Sequence, residues 1–263
     1  MQEQHFVRTG PLMEAASYPE WTQELIHHCD KLKAEIVQHD LITMMKDGVL
    51  PAPIHRAFLI GGWPVIEQFP QYMARNLIKI RYGTGPGEDM ARRYLIRNIR
   101  VEQNHADHWV AWAAASGISL EELLDDQQAL ETRTLSHWCW QVCDRESLAI
   151  AMAATNYAIE GVTGEWSARI CSEDHYAELF DESVRAPAMK WLKLHAKYDD
   201  AHPWEALEII VTLVGLNPSA ETVDKLRYAI CQSHRYTRLL QDHYMKAGSA
   251  SVPVSRRSSA VAV

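Results

Sequence analysis

The sequence predicts an all-α protein built around one bundle of about seven or more helices. Proline and glycine divide the 263 residues into long segments that read as helices. No run alternates apolar and polar residues with the period of two that a half-buried strand requires. A chain of this length can also bury a full core in a single domain.

The first two helices are bounded by glycine and proline. Residues 19–46 are expected to form the first, which Gly48 closes. The second is expected over 54–81. It contains Pro64 and Pro70, which lack the amide proton of a helical hydrogen bond, so it should be kinked or broken.

Charge and proline mark two later helix starts. Glu88 and Asp89 open a helix that reaches about residue 115, because acidic side chains suit the positive end of the helix dipole. Another helix should begin near Pro187, since proline is favoured at the first helical position, and should continue to about residue 201. The remaining predicted helices cover 119–130, 132–143, 145–172, 203–214 and 218–246.

The two ends of the chain are expected to lie outside this bundle. Residues 248–263 are small and polar, which predicts a disordered tail, and residues 1–16 form an N-terminal extension. The helical domain is therefore assigned to 17–247. The N-terminus lacks a secretory signal pattern and no segment reaches the ~20 apolar residues of a membrane span, so a cytoplasmic protein is expected.

Composition excludes several classes of function. The chain has 26 Lys and Arg against 34 Asp and Glu, a net charge of -8, and no long basic run. Nucleic acid is therefore not an expected partner. Five cysteines without a CxxC pair argue against a disulfide framework or a zinc knuckle.

Carboxylates and histidines with helical spacing are the main functional pattern. Twice, a carboxylate precedes a histidine by three residues, and side chains at that spacing share one face of a helix. Proteins that hold two irons inside a helical bundle use such pairs, and carboxylate with imidazole suits Fe, Mn or Zn. The candidate metal-ligating and catalytic residues are Glu102, His105, Glu160, His195, Asp199 and His202.

The position of His202 qualifies this pattern. It directly precedes Pro203, which disfavours the α conformation at residue 202. His202 is therefore expected at a kink rather than within a straight helix, a placement that moves a ligand without removing it.

At these six residues the chain resembles the haem-oxygenase-like di-metal oxidases, a helical family that binds non-haem iron. The resemblance covers roughly residues 20–245, and the most specific motif is His195-x3-Asp199-x2-His202. The short gap between Glu102 and His105 is similar to that in the family's medium-chain fatty-acid decarboxylases.

The resemblance implies a fold, cofactors and a reaction. The fold is a haem-oxygenase-like bundle, and the cofactors are two Fe(II) ions, O2 as co-substrate and an external reductant. The reaction is oxidative decarboxylation of a medium-chain saturated fatty acid, such as dodecanoic acid, to a terminal alkene such as 1-undecene plus CO2, after abstraction of a β hydrogen. The electron donor is not identified by the sequence.

Four alternatives stay open at this stage. A ferritin-like or other di-iron oxidase could act on a different small substrate, with Glu67 as the earlier carboxylate. A haem protein could use His27 or His28 as axial ligand, and a thiaminase-like enzyme would rely on a cysteine or a general base without metal. The fourth alternative is a non-catalytic interaction module.

Overall fold

The computed structural model describes residues 5–125, 129–198 and 201–247. Within those ranges there is no β-strand, and the predicted all-α, haem-oxygenase-like fold is confirmed. Short 3-10 turns cover Ala15–Ser17, Leu130–Arg133 and Ala177–Leu179. The α-helices are α1 (Glu20–Val37), α2 (Asp40–Lys46), α3 (Ala52–Leu77), α4 (Pro86–Ala115), α5 (Leu120–Leu123), α6 (Thr134–Arg145), α7 (Leu148–Met152), α8 (Ala158–Ile170), α9 (Glu182–Tyr198), α10 (His202–Val214) and α11 (Ala220–Ala247).

The first predicted helix, 19–46, is two helices in the structure. α1 ends at Val37, and α2 begins after His39, whose side-chain Nδ1 accepts a hydrogen bond from the amide of Leu41 at 3.1 Å. This bond satisfies one of the amides that a helix leaves without an internal partner at its start. Histidine is not a usual N-cap residue, so no sequence signal marks this break.

A kink or a break was predicted in the second helix, and the break does not occur, because α3 continues as one helix through Pro64 and Pro70. Both prolines are buried. The preceding Gly61-Gly62 allows close packing: a Cβ on Gly61 would lie 2.5 Å from a ring carbon of Tyr244 on α11, and one on Gly62 would lie 2.8 Å from Trp109 on α4. Packing on both sides thus holds α3 in one piece.

The long helix predicted over 145–172 is interrupted by one turn of π-helix. Ser147 caps the start of α7, and Ala153–Tyr157 form the π turn that leads into α8. A π turn inserts an extra residue and rotates the next segment about the helix axis, and such turns are common at functional sites. Here the turn directly precedes the segment that carries Glu160.

The helices of the bundle pack so that α3 contacts α4, α4 contacts α9, and α9 contacts α8. α11 lies against α1, α3 and α8. The N-terminal segment also joins the fold, because the buried Phe6 packs with Tyr18, Leu207 and Val211. No helix among the described residues is long and apolar enough to cross a membrane.

Candidate metal centre

Five of the six predicted ligands lie in described parts of the structure. Glu102 and His105 are in the middle of α4, Glu160 is near the start of α8, and His195 is in the last turn of α9. His202 is the first residue of α10, directly before Pro203, so the predicted interruption of the helix is present at this residue. Asp199 lies outside the described residues.

Three of these side chains meet between α4 and α9. His105 Nδ1 is 3.0 Å from Glu102 Oε2, a hydrogen bond within α4. The ring centroids of His105 and His195 are 4.3 Å apart. The contact between α4 and α9 therefore joins two motifs that are 90 residues apart in the sequence.

Glu160 and His202 form a second pair. Their Oε2 and Nδ1 atoms are 4.0 Å apart. Tyr94 Oη lies 3.4 Å from Glu160 Oε2 and 3.4 Å from the carbonyl oxygen of His202, so its proton can be donated to either. Asn156, in the π turn, donates from Nδ2 to Glu160 Oε1. Both oxygens of this carboxylate are thus oriented by neighbours.

Tyr94 and Asn156 belong to none of the motifs that predicted the ligands. Asn156 lies four residues before Glu160, a spacing that places two side chains on one face of a helix, whereas Tyr94 lies 66 residues before Glu160 on a different helix. The four-residue spacing could have found Asn156, and no local spacing marks Tyr94.

Burial favours the neutral form of His195 and of His202. Glu102, His105, Glu160 and His195 are each at most 7 % exposed. Burial, with a smaller effect from His105, holds the pKa of His195 well below its usual value. Burial also lowers the pKa of His202. A neutral imidazole keeps a lone pair on one nitrogen, and that lone pair is what binds a metal.

The tautomer of His195 follows from its hydrogen bond. Its Nδ1 lies 2.8 Å from the carbonyl oxygen of Trp191, and a carbonyl can only accept. Nδ1 therefore carries the proton and Nε2 carries the lone pair. The imidazole also stacks on the Trp191 indole, with centroids 3.7 Å apart, and Trp191 stacks on Trp166. Such support fixes the orientation of a ligand before metal binds.

A largely apolar pocket adjoins this cluster. Among the described residues that line it, the carboxylates and imidazoles are all predicted ligands: Glu102, His105, Glu160 and His195. Thr163, Thr237 and Gln241 add uncharged polar groups. The apolar part of the wall includes Ile42, Phe58, Val65, Ile66, Phe69, Trp109, Leu135, Ile159, Trp166, Trp191, Leu240 and Tyr244.

The donor chemistry fits a metal such as iron. Two buried carboxylates and three imidazoles converge from α4, α8, α9 and α10, and burying carboxylates is costly unless cations or hydrogen bonds compensate. Among the described residues, no three His, Cys, Asp or Glu side chains lie close enough together to hold one metal ion.

The residues of the alternative predictions lie elsewhere. His27 and His28 are exposed on α1 and do not line the pocket, so neither is placed as an axial haem ligand. Glu67 accepts a hydrogen bond from Gln71 at 3.2 Å and lines a separate groove beside α4.

Comparison with known proteins identifies the family. Residues 56–229 match the family described as iron-containing redox enzymes. The chain belongs to this family. A solved TenA homologue from Pseudomonas syringae pv. tomato is 58 % identical, covers 92 % of this chain and 100 % of its own, and superimposes with a TM-score of 0.90.

Two further relatives are more distant. A protein of Chlamydia pneumoniae named 4-aminobenzoate synthase is 25 % identical over 194 residues, which are 70 % of this chain and 80 % of the relative. A TenA homologue from P. horikoshii is 13 % identical, with a TM-score of 0.68 over 87 % of this chain and 99 % of its own. The latter supports the fold alone.

Proposed function

We propose that this chain is an O2-dependent non-haem iron oxidase that converts a medium-chain saturated fatty acid into a terminal alkene and CO2. The observation that carries the proposal is the apolar pocket, in which every carboxylate and imidazole of the described lining is a predicted iron ligand. Membership of the iron-containing redox family supports the oxidase class. The substrate class rests on the pocket and on the resemblance at the six ligands.

Iron would be held by Glu102, His105, Glu160, His195 and His202, with Asp199 as the sixth proposed ligand. Two ions are proposed, because six such residues exceed what one ion with open positions needs. When bound, iron supplies a site for the substrate carboxylate and the redox capacity for reducing O2. The protein's part is to orient these donors and to keep the site dry.

Individual residues perform that part through hydrogen bonds. The Trp191 carbonyl keeps the proton of His195 on Nδ1 and so leaves the metal-binding lone pair on Nε2. Asn156 and Tyr94 hold the two oxygens of Glu160. Partners of this kind typically change metal affinity roughly 10- to 100-fold.

The pocket wall is suited to an alkyl chain. Burying one methylene contributes about 0.8 kcal/mol, so an acyl tail gains several kcal/mol from the aromatic and aliphatic lining. The carboxyl group is expected at Glu102, His105, Glu160 and His195, because these predicted iron ligands form one part of the wall. An apolar wall separates neighbouring chain lengths only modestly, by about 1–3 kcal/mol per methylene, so a range of acids is expected.

The overall reaction fixes the need for a reductant. A hydrogen leaves the β carbon, the carboxylic acid loses its proton, the bond from the α carbon to the carboxyl carbon breaks, and a double bond forms between the α and β carbons. This change releases two electrons and two protons. Reduction of O2 to two waters consumes four of each, so a donor must supply two electrons and solvent two protons.

The test is headspace gas chromatography. Protein loaded anaerobically with Fe(II) receives dodecanoic acid, a reductant and O2, and 1-undecene is expected. His195→Ala should abolish the product and should decrease the amount of iron bound to the protein, which is measured by elemental mass spectrometry. His137→Ala, at an exposed histidine on α6, is the matched control and should retain both. The substrate assignment would be refuted if no alkene formed and O2 were consumed at the same rate with and without dodecanoic acid.

A second candidate is an oxidase of the same class with an aromatic product. The similarity to the relative named 4-aminobenzoate synthase favours it, and aromatic side chains such as Phe58, Trp109 and Tyr244 in the pocket are compatible with a ring. Iron-dependent release of 4-aminobenzoate, detected by liquid chromatography with mass spectrometry, and no alkene from fatty acids would select this candidate.

A further inference from the structure

Two thiols from distant parts of the chain contact each other between α1 and α11. The Sγ atoms of Cys29 and Cys231 are 3.6 Å apart, although 202 positions separate the residues. Both residues are buried, at 3 % and 5 % exposure. A disulfide bond is about 2.05 Å long, so the sulfurs need to approach by only about 1.5 Å.

The two thiols differ in their surroundings. Cys231 lines a surface cavity together with Arg227, Arg235 and His28. The hydrogen bond from Cys29, together with the charges of Arg235 and Arg227, lowers the pKa of Cys231 despite its burial. The bond to Cys231 and burial raise the pKa of Cys29. Because Cys231 shares its cavity with Arg227 and Arg235, it is the expected nucleophile of the pair, and Cys29 is the thiol beside it.

We propose that Cys29 and Cys231 form a redox site at which hydrogen peroxide produces a reversible disulfide between α1 and α11. The Cys231 thiolate attacks one peroxide oxygen, the O–O bond breaks, and hydroxide leaves and takes up a proton. Cys29 then attacks the sulfenic sulfur, the S–S bond forms and water leaves. The two thiols lose two electrons, and the peroxide gains two as it becomes two waters.

The other cysteines provide a contrast within the same molecule. Cys139 and Cys143 are one turn apart on α6, and burial raises the pKa of both thiols. Burial also raises the pKa of Cys171. These three are therefore expected to resist an oxidant concentration that oxidises Cys231.

Peptide mapping tests the proposal. The full-length protein is treated with hydrogen peroxide in the presence of a chelator, free thiols are alkylated, and a non-reducing digest is analysed by mass spectrometry. The expected product is a disulfide-linked pair of peptides that contain Cys29 and Cys231, and it should disappear when dithiothreitol is added. The number of alkylated thiols should fall from five to three. The matched control Cys171→Ala should form the same link.

Two further measurements keep the test decisive. Cys29→Ala should leave a sulfenic acid on Cys231 that dimedone labels and should form no bridge. In the wild-type protein, oxidation should raise the thermal midpoint by on the order of 5–15 °C, because the bridge closes a loop of about 200 residues. The proposal would be overturned if all five thiols stayed intact under conditions that oxidise surface methionines. It would also be overturned if the bridge formed between other cysteines.

Discussion

His234 should make the protein less stable in mild acid. It lies on α11 and is 3 % exposed. Burial, with a smaller effect from the Lys33 cation, lowers its pKa from 6.5 to about 4. Between these two values the unfolded chain binds a proton at this residue and the folded chain does not, so the free energy of unfolding falls as the pH falls.

The size of the effect follows from the two pKa values. The contribution of His234 is fully present above pH 6.5 and is lost at about 1.4 kcal/mol per pH unit as the pH falls. The loss stops near pH 4, where the folded protein also takes up the proton. The total is about 3 kcal/mol, a large fraction of the roughly 5–15 kcal/mol by which domains are usually stable.

Urea unfolding followed by circular dichroism measures this effect. Free energies of unfolding are determined in half-unit steps from about pH 4.5 to 7, with a chelator present to remove metal. His234→Gln has no ionisable group at this position, so its slope against pH should be shallower than wild type by about one proton, or about 1.4 kcal/mol per pH unit. The slope is informative even where the substitution lowers stability at every pH.

The matched control replaces an exposed histidine. His137→Gln on α6 should keep the wild-type slope. If His234→Gln also kept the wild-type slope over this range, His234 would have to be protonated in the folded state, and the reasoning from its burial would be refuted.

Three other substitutions test the site, the pocket and the core. Tyr94→Phe removes the hydroxyl next to Glu160 and should weaken Fe(II) binding roughly 10- to 100-fold in a competition titration against a chromophoric chelator. An unchanged affinity would contradict the role assigned to that hydroxyl. Leu240→Phe narrows the pocket and should shift alkene production toward shorter acids. The ratio of tetradecanoic to decanoic acid turnover, measured by gas chromatography, should fall by on the order of tenfold or more. An unchanged preference for chain length would mean that Leu240 does not line the acyl pocket. Ser233→Ala breaks the hydroxyl's buried bonds to the Trp138 indole and to a carbonyl of the π turn, and should cost about 1–3 kcal/mol in urea unfolding. A cost near zero there would mean that water replaces the hydroxyl.

Helix starts and stops were predictable where they depend on local chemistry. Pro86–Ala115 begins and ends within two residues of its prediction, because acidic residues and a glycine mark its ends. The boundary at His39 was missed, since a histidine side chain caps the second helix there. A kink or a break was expected at Pro64 and Pro70, and α3 is not broken there, where neighbouring helices pack on both sides of it. Packing therefore overrides the local rule in α3, whereas the boundary at His39 depends on an uncommon capping residue.

The sequence by itself determined the all-helical class and the grouping of candidate ligands on single helices, because both follow from a repeat of about 3.6 residues per turn. Only the tertiary structure decided which helices meet. It brings His105 to His195, Glu160 to His202, and Cys29 to Cys231. Such contacts between residues far apart in the sequence depend on how whole helix surfaces fit together, and no periodicity within one helix encodes its partner.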